Sequence, residues 1–131
     1  YTTLFRSKLR TQIEDAKEKF LKGDTNTLEP WLFKESNENK TENIHTTSET
    51  IISLHKCINK FQKNKNEAWL VKELQDFIFK KLAKHPANGK RQDGIHKGIR
   101  LWSYGFWDIY YFYNGKNIYI THIIYDKNKI S

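Results

Sequence analysis

Cationic side chains collect in the last third of the chain, where they could stabilise the negative charge of a phosphate or a carboxylate. These candidates are Lys90, Arg91, Lys97, Arg100, Lys127 and Lys129. The same stretch holds three side chains that could carry a proton, namely His96, His122 and Tyr125. Acid–base chemistry at a phosphate needs both sets within hydrogen-bond reach of each other. If the two sets do not meet, the cations are suited only to binding.

Arg100 and His122 each allow two interpretations. The planar guanidinium of Arg100 could hold a carboxylate or phosphate of a target, or it could form an internal bridge to Asp93 or Asp108. His122 falls on the same predicted strand face as Ile120. We therefore expect a half-buried histidine with satisfied hydrogen bonds there, and not a proton carrier.

The first element predicted by the apolar pattern is an amphipathic helix from Ser7 to Leu21, closed by Gly23. An apolar segment, Leu28–Phe33, follows it, and Pro30 favours an extended conformation there. The polar stretch Glu35–Asn43 is predicted to be a linker.

Two further amphipathic helices are predicted to form an antiparallel hairpin, because a short polar loop at residues 62–66 joins them. Thr46, Thr47 or Ser48 could cap the first of them, and Pro86 ends the second. Cys57 falls on the apolar face of the first. We expect it to be a packing residue and not a nucleophile, because thiols buried in apolar surroundings are inert.

After Gly98 the apolar pattern changes to alternation, which predicts three antiparallel strands. Asn114-Gly115 predicts the hairpin between the last two strands, with a type I′ turn. Both faces of these strands are largely apolar or aromatic, so one must cover the helices. The other is either covered by something else or forms a binding surface.

Composition limits the functional class. The 131 residues suit one domain with an appendage, and the net charge is +8. Residues 1–40 hold 8 Lys and Arg against 7 Asp and Glu, whereas residues 41–131 hold 15 against 8. The basic excess suits nucleic acid, a ribosome or an acidic protein, although it could also be a solvated surface alone.

Other chemistries lack a sequence signal. The five histidines show no ligand spacing, so we expect no metal and no cofactor. One cysteine and the absence of a long apolar run favour a cytoplasmic protein that contacts no membrane. Met is absent, so we expect the chain to be a piece or a processed product of a longer one.

A set of motifs within residues 43–127 resembles the RelE/ParE superfamily of bacterial toxins. His85-Pro86-Ala87-Asn88-Gly89 is similar to the family's His-Pro-x-x-Gly at the end of the second helix, and Gly98-Ile99-Arg100 is similar to its Gly-x-Arg entering the sheet. Gly105, Ile109-Tyr110-Tyr111 and the final strand resemble the remaining motifs. The resemblance implies an α+β fold, a helical hairpin packed on a small antiparallel sheet, with an extra N-terminal helix here.

The resemblance also implies one of two activities. RelE-like members are ribosome-dependent mRNA endoribonucleases, for which the matching residues would be Lys90, Lys97, Arg100 and Tyr125. ParE-like members keep the fold but inhibit DNA gyrase by binding. This chain has Asp108, and no arginine, in the strand after Gly105. The pattern therefore favours a non-enzymatic, gyrase-binding toxin of a plasmid-stabilisation system that inhibits growth.

The binding residues implied for the target or the antitoxin are Lys90, Arg91, Lys97, Arg100, Trp102 and Lys127. The resemblance further implies a cognate antitoxin, ParD-like or of another type, as partner. Residues 1–40 are either an extension that caps the core or an antitoxin-like tail packed in cis, and residues 41–131 are the predicted toxin domain. A plain nucleic-acid-binding module is a further alternative, with Tyr110, Phe112, Tyr119 and Tyr125 as stacking platforms.

Overall fold

Three helices and a six-stranded mixed sheet form the α+β fold seen in the computed structural model, which describes residues 2–28 and 43–128. The helices are α1 (Thr2–Leu21), α2 (Ser48–Gln62) and α3 (Ala68–Asp76), and a π-helical segment (Phe77–Leu82) continues α3. The strands are β1 (Asn26–Thr27), β2 (Ile44–Thr46), β3 (Lys90–Arg91), β4 (Arg100–Tyr104), β5 (Trp107–Tyr113) and β6 (Ile118–Tyr125).

Helix α1 forms where the apolar spacing predicts it. Leu9, Ile13 and Ala16 recur every three or four residues, and all three are buried. Gly23 follows the helix with a φ of 99°, a left-handed conformation that glycine adopts without a steric penalty. The predicted end is therefore confirmed, whereas the helix begins five residues before Ser7. The predicted extended segment and linker between residues 29 and 42 lie outside the described residues.

Helices α2 and α3 cover one face of the sheet. The hydroxyl of Thr47 accepts a hydrogen bond of 3.2 Å from the amide of Thr50, so Thr47 is the cap among the three candidates. The last helical residue is Leu82, which agrees with Pro86 as the stop signal. An antiparallel pairing of α2 with α3 is not evident in the described chain.

The predicted antiparallel meander of β4, β5 and β6 is confirmed, but the sheet is larger and mixed. Its strand order is β1-β2-β6-β5-β4-β3, and β2 runs parallel to β6. The prediction of a small, purely antiparallel sheet was therefore wrong. Strand β2 is only three residues long, too short for an alternating pattern to reveal it.

The hairpin between β5 and β6 is confirmed, but its turn type was predicted incorrectly. Four residues, 114–117, separate the strands. Gly115 has a φ of 92°, whereas no described residue other than glycine has a positive φ, so Asn114 does not complete a type I′ turn. The Asn114 side chain instead accepts hydrogen bonds from the amides of Lys116, at 2.9 Å, and Asn117, at 2.6 Å.

Two apolar clusters lie on opposite faces of the sheet. The larger cluster packs beneath α2 and α3 and contains Trp107, Ile109 and Tyr111 from β5. The smaller cluster packs beneath α1. It consists of Leu9, Ile13, Ile95, Ile99 and Tyr110. We call these surfaces the α2–α3 face and the α1 face; both faces of the sheet are covered in this chain.

An irregularity in β6 reverses part of the predicted alternation. Tyr110 pairs with His122 while Tyr111 pairs with Ile120, so Thr121 is the extra residue. The hydroxyl of Thr121 donates to the carbonyl oxygen of Tyr110 at 3.2 Å. Ile120 therefore faces α2 and α3 but His122 faces α1, and the prediction that these two residues share a face was wrong.

Candidate functional site

The segment between the π-helical residues and β4 carries three of the six predicted cations. Lys90 and Arg91 form β3 at the edge of the sheet, and both side chains are exposed. Their partners across the ladder are Leu101 and Arg100. Lys97 is also exposed and lies in the loop between β3 and β4. We call the exposed cations Lys90, Arg91 and Lys97 the basic rim.

Arg100 holds the turn that precedes the basic rim. Its Nη1 donates to the carbonyl oxygens of Ala87, at 3.1 Å, and of Gly89, at 2.8 Å. Arg100 therefore makes internal contacts, but its observed partners are backbone carbonyl groups and not the carboxylate of Asp93, which accepts from Arg91 and Gly98. The turn after Pro86 places these two carbonyl groups within hydrogen-bond reach of the first residue of β4.

Tyr111 holds the same turn from the sheet. Its hydroxyl donates to the carbonyl oxygen of Pro86 at 2.7 Å and accepts from the amide of Gly89 at 2.9 Å. Burial raises the pKa of the Tyr111 phenol, while the hydrogen bond from Gly89 acts in the opposite direction. The position of Lys90 is thereby fixed through its neighbour Gly89.

Asp93 holds the part of the loop between Arg91 and Gly98. Its carboxylate accepts from the amide of Gly98 at 2.9 Å and from the guanidinium of Arg91 at 3.2 Å. These contacts lower the pKa of Asp93, with the Gly98 hydrogen bond as the larger cause. The backbone of the loop is therefore held at both ends before any partner binds.

Trp102 and Lys127 do not extend the rim. Trp102 is half-buried on the α2–α3 face, where its ring packs edge-on against Phe77 at 5.7 Å. Lys127 is exposed just after β6, next to Asp126, whose amide donates to the carbonyl oxygen of Phe106. That is the end of the sheet opposite Arg100. Lys129 lies outside the described residues.

Tyr125 is far from Arg100 and the basic rim. It pairs with Trp107, whereas Arg100 pairs with Tyr111, four residues further along β5. At about 3.3 Å per residue, this separates the two ends by roughly 13 Å. The ring of Tyr125 packs on Phe61 at 4.8 Å, and burial raises the pKa of its phenol.

The two candidate histidines are engaged by other groups. The imidazole of His96 lies beside the rim, where its Nε2 is 3.5 Å from the carboxylate of Glu14 and its ring packs edge-on against Phe112 at 5.5 Å. His122 Nδ1 is 3.1 Å from the hydroxyl of Thr121. Burial lowers the pKa of His122, and the charge of Glu49 opposes this shift.

A cleft of about 480 Å³ lies between α1, α2 and β6. His122, Tyr125 and Cys57 line it. Its mouth carries Lys19, whose ammonium is 3.1 Å from Asp15 and 2.5 Å from Glu49. Cys57 is half-buried against the main cluster, and burial raises the pKa of its thiol, as expected for a packing residue.

Two cations of α1 join the rim and were missed in the sequence. Arg10 donates through Nε to the carbonyl oxygen of Ile95 at 2.9 Å and through Nη2 to that of Gly94 at 3.0 Å. The ammonium of Lys17 lies 5.8 Å from the centre of the Phe112 ring. The available signal was their position on α1, one residue after the buried Leu9 and Ala16.

The platforms proposed for base stacking are largely covered. Tyr110 is 6% exposed within the smaller cluster, and Phe112 packs against that cluster. Tyr119 contacts the rings of Phe20, at 5.3 Å, and His45, at 5.2 Å. These side chains therefore contribute to the packing of the α1 face, and α1 would have to move before a base could stack on Tyr110.

Comparison with known proteins gives no assignment, since no protein-family model and no curated protein matches this chain. Among the residues that the structure describes, no helix is long and apolar enough to cross a membrane. The described side chains also include no group of three or more His, Cys, Asp or Glu that could hold a metal ion.

Proposed function

We propose that this chain is the toxin of a type II toxin–antitoxin system, with a RelE/ParE-like fold, and that it arrests growth by binding DNA gyrase. The resemblance of the motifs between His85 and Tyr125 supports the family and the target. The fold is compatible with it, since two helices precede a three-stranded antiparallel meander. The motif glycines lie next to the basic rim, with Gly89 directly before Lys90 and Gly98 directly after Lys97.

The distance between Arg100 and Tyr125 is the observation that favours binding over catalysis. General acid–base cleavage requires a proton carrier within hydrogen-bond reach of the reacting group. Tyr125 and the rim lie at opposite ends of the sheet, and Tyr125 is packed against Phe61 and Trp107. The rim held by Tyr111 and Asp93 lacks Tyr125, and the imidazole of His96 beside it already contacts Glu14 and Phe112, so the rim is suited to recognition.

Inhibition of gyrase supercoiling by the purified protein tests the proposal. The triple substitution K90A/R91A/K97A removes the charges of the rim and should raise the concentration needed for half-inhibition by about tenfold or more, which corresponds to roughly 1.4 kcal/mol. A matched control, K56A/K60A/K63A, removes two charges from α2 and one directly after it, and should leave inhibition unchanged. Failure of the wild-type protein to inhibit gyrase would reject the proposal.

Ribosome-dependent cleavage of mRNA is the competing activity. It predicts cut transcripts when the protein is expressed, and loss of the cuts in Arg100→Ala or Tyr125→Phe. Intact transcripts under toxic expression would exclude it. Copurification of a small antitoxin would support the system but would not discriminate between the two targets.

A further inference from the structure

We infer that α1 and the loop between β3 and β4 together form a surface that binds the phosphate backbone of nucleic acid. We call it the composite basic surface. It consists of Arg6, Arg10, Lys17, Lys90, Arg91 and Lys97. The inference depends on cations that come from two segments more than 70 residues apart and lie side by side in the fold. No sequence motif contains both segments.

Three cations of α1 lie on the flank of the helix that faces the loop. Arg10 bonds the carbonyl oxygens of Gly94 and Ile95, and Lys17 lies over Phe112. Arg6 is one turn before Arg10 on the same flank. Burial raises the pKa of the Tyr110 phenol beneath α1, the charge of Asp108 adds to this rise, and the charge of Arg6 opposes it. At 1.5 Å per residue, the run from Arg6 to Lys17 extends over about 16 Å.

The loop between β3 and β4 adds further cations beside this row. His96, between the loop and α1, contacts Glu14 at 3.5 Å, and its neighbour Lys97 is exposed. Three acids lie within or beside the surface, and each has an internal partner. Glu14 contacts His96, Asp93 contacts Arg91 at 3.2 Å, and Asp108 accepts from the hydroxyl of Ser103. Six cations thus face three carboxylates that are already engaged, which leaves a local excess of positive charge.

The part of the surface beside α1 fits phosphates better than it fits the centre of a protein interface, whereas the basic rim at its edge can still contact a protein such as gyrase through charge. The centre of a protein interface is normally apolar or aromatic and poor in charge. Here the large apolar side chains between the cations, including Leu9, Ile13 and Ile95, are buried. Phe5 and Leu21 are exposed, but they lie at the two ends of α1. Duplex DNA carries one negative charge per about 1.7 Å of axis, so a row of about 16 Å spans many phosphates.

This inference does not rest on the gyrase proposal. Binding to nucleic acid is measured without gyrase, so either proposal can fail while the other stands. It also differs from the stacking module considered above, because it uses cations of α1 and the loop and needs no exposed base platform.

Fluorescence anisotropy with a labelled 20-base-pair duplex of mixed sequence, titrated at several salt concentrations, tests the inference on the full chain. The test variant is K17Q/K97Q, which takes one cation from each segment. The control is K56Q/K63Q on and beside α2, with the same loss of charge. Circular dichroism of both variants checks that the fold is retained. A duplex RNA of the same sequence shows whether the surface distinguishes DNA from RNA.

The logarithm of the binding constant should fall linearly with the logarithm of salt concentration, since bound phosphates release counterions. The K17Q/K97Q variant should lose close to two units of this slope, about 0.9 for each phosphate contact, whereas the control should keep it. Equal losses in both variants would mean diffuse attraction and would overturn the assignment. The absence of salt-dependent binding would also overturn it. If K17Q/K97Q changed the inhibition of gyrase but not the binding of nucleic acid, the surface would be a protein interface.

Discussion

Gly89 occupies a position where no side chain fits unless its surroundings move. A Cβ atom built there would overlap the phenol of Tyr111, whose hydroxyl bonds the backbone on both sides of the turn. The glycine is thus required by close approach and not by an unusual φ. Because Lys90 follows directly, the packing of one side chain decides where the basic rim begins.

We expect Gly89→Ala to lower the free energy of unfolding by about 1–3 kcal/mol, the usual cost of forcing extra atoms into a packed site. Gly94→Ala is the matched control. It lies in the same loop, and a Cβ atom there would meet nothing within 4 Å. Chemical denaturation of both variants measures the difference. Equal changes in the two variants would show that the close approach of Tyr111 does not restrict the residue type at position 89.

His122 is the residue whose protonation should affect stability near neutral pH. Burial holds the pKa of its imidazole below the ordinary value of about 6.5. A group whose pKa is lower in the folded state contributes its full stability above the unfolded pKa and loses it as the pH falls. The loss from His122 should begin near pH 6.5, above the range in which Asp24 and Asp93 are protonated.

The unfolding free energy of the wild-type protein should therefore fall between about pH 7.5 and pH 5. His122→Gln cannot take up this proton and should show a smaller fall over the same range. Urea denaturation at several pH values measures both slopes. If the two proteins lose the same stability, His122 is not the group responsible.

At the scale of elements, α1 stabilises the fold through one narrow stripe. Ile13 is fully buried and Leu9 is 2% exposed, and both contact the cluster that contains Ile99 and Tyr110. Arg10 and Lys19 add polar contacts on the two flanks of the helix. The stripe was visible in the sequence, but the surface that receives it was not.

Ile13→Ala should lower the free energy of unfolding by about 2–4 kcal/mol, because it removes buried methylene groups and leaves a cavity. Ile52→Ala on α2 is the matched control of the same residue type. Ile52 is 57% exposed, so we expect a change of about 0.5 kcal/mol or less. Thermal denaturation compares the two variants. A small effect at Ile13 would mean that α1 does not pack tightly on the sheet.

For the whole molecule, the main feature is that helices cover both faces of the sheet within the described residues. Helices α2 and α3 cover one side, and α1 covers the other. The described part of residues 1–40 also supplies β1, which pairs with β2. Whether this segment is an extension or an antitoxin-like tail stays a prediction, as does the boundary between residues 40 and 41.

Deletion of residues 1–40 distinguishes these possibilities. Loss of α1 should expose Ile99 and Tyr110, increase the binding of a hydrophobic dye and lower the melting temperature. If the segment acts as an antitoxin in cis, the truncated protein should also be more toxic in growth assays. A soluble truncated protein that is no more toxic than the full chain would exclude that role.

Local signals in the sequence were sufficient for much of the fold. The capping Thr47, the stop before Pro86 and the hairpin at Gly115 each depend on residues within a few positions of one another. The bulge at Thr121 and the parallel strand β2 depend on distant backbone, and the sequence pattern missed both. The same limit applied to the site, since Arg100 was identified as a cation but its carbonyl partners were not.

The sequence by itself determined the α+β class, the order of the principal elements and the concentration of positive charge after residue 40, because periodicity, turn chemistry and composition are properties of the chain. Only the tertiary structure decided that Arg100 faces the carbonyl oxygens of Ala87 and Gly89, that Tyr125 lies at the other end of the sheet, and that Arg10 reaches the basic loop. These are contacts between segments far apart in sequence. Their geometry depends on strand register and helix packing, which no local pattern specifies.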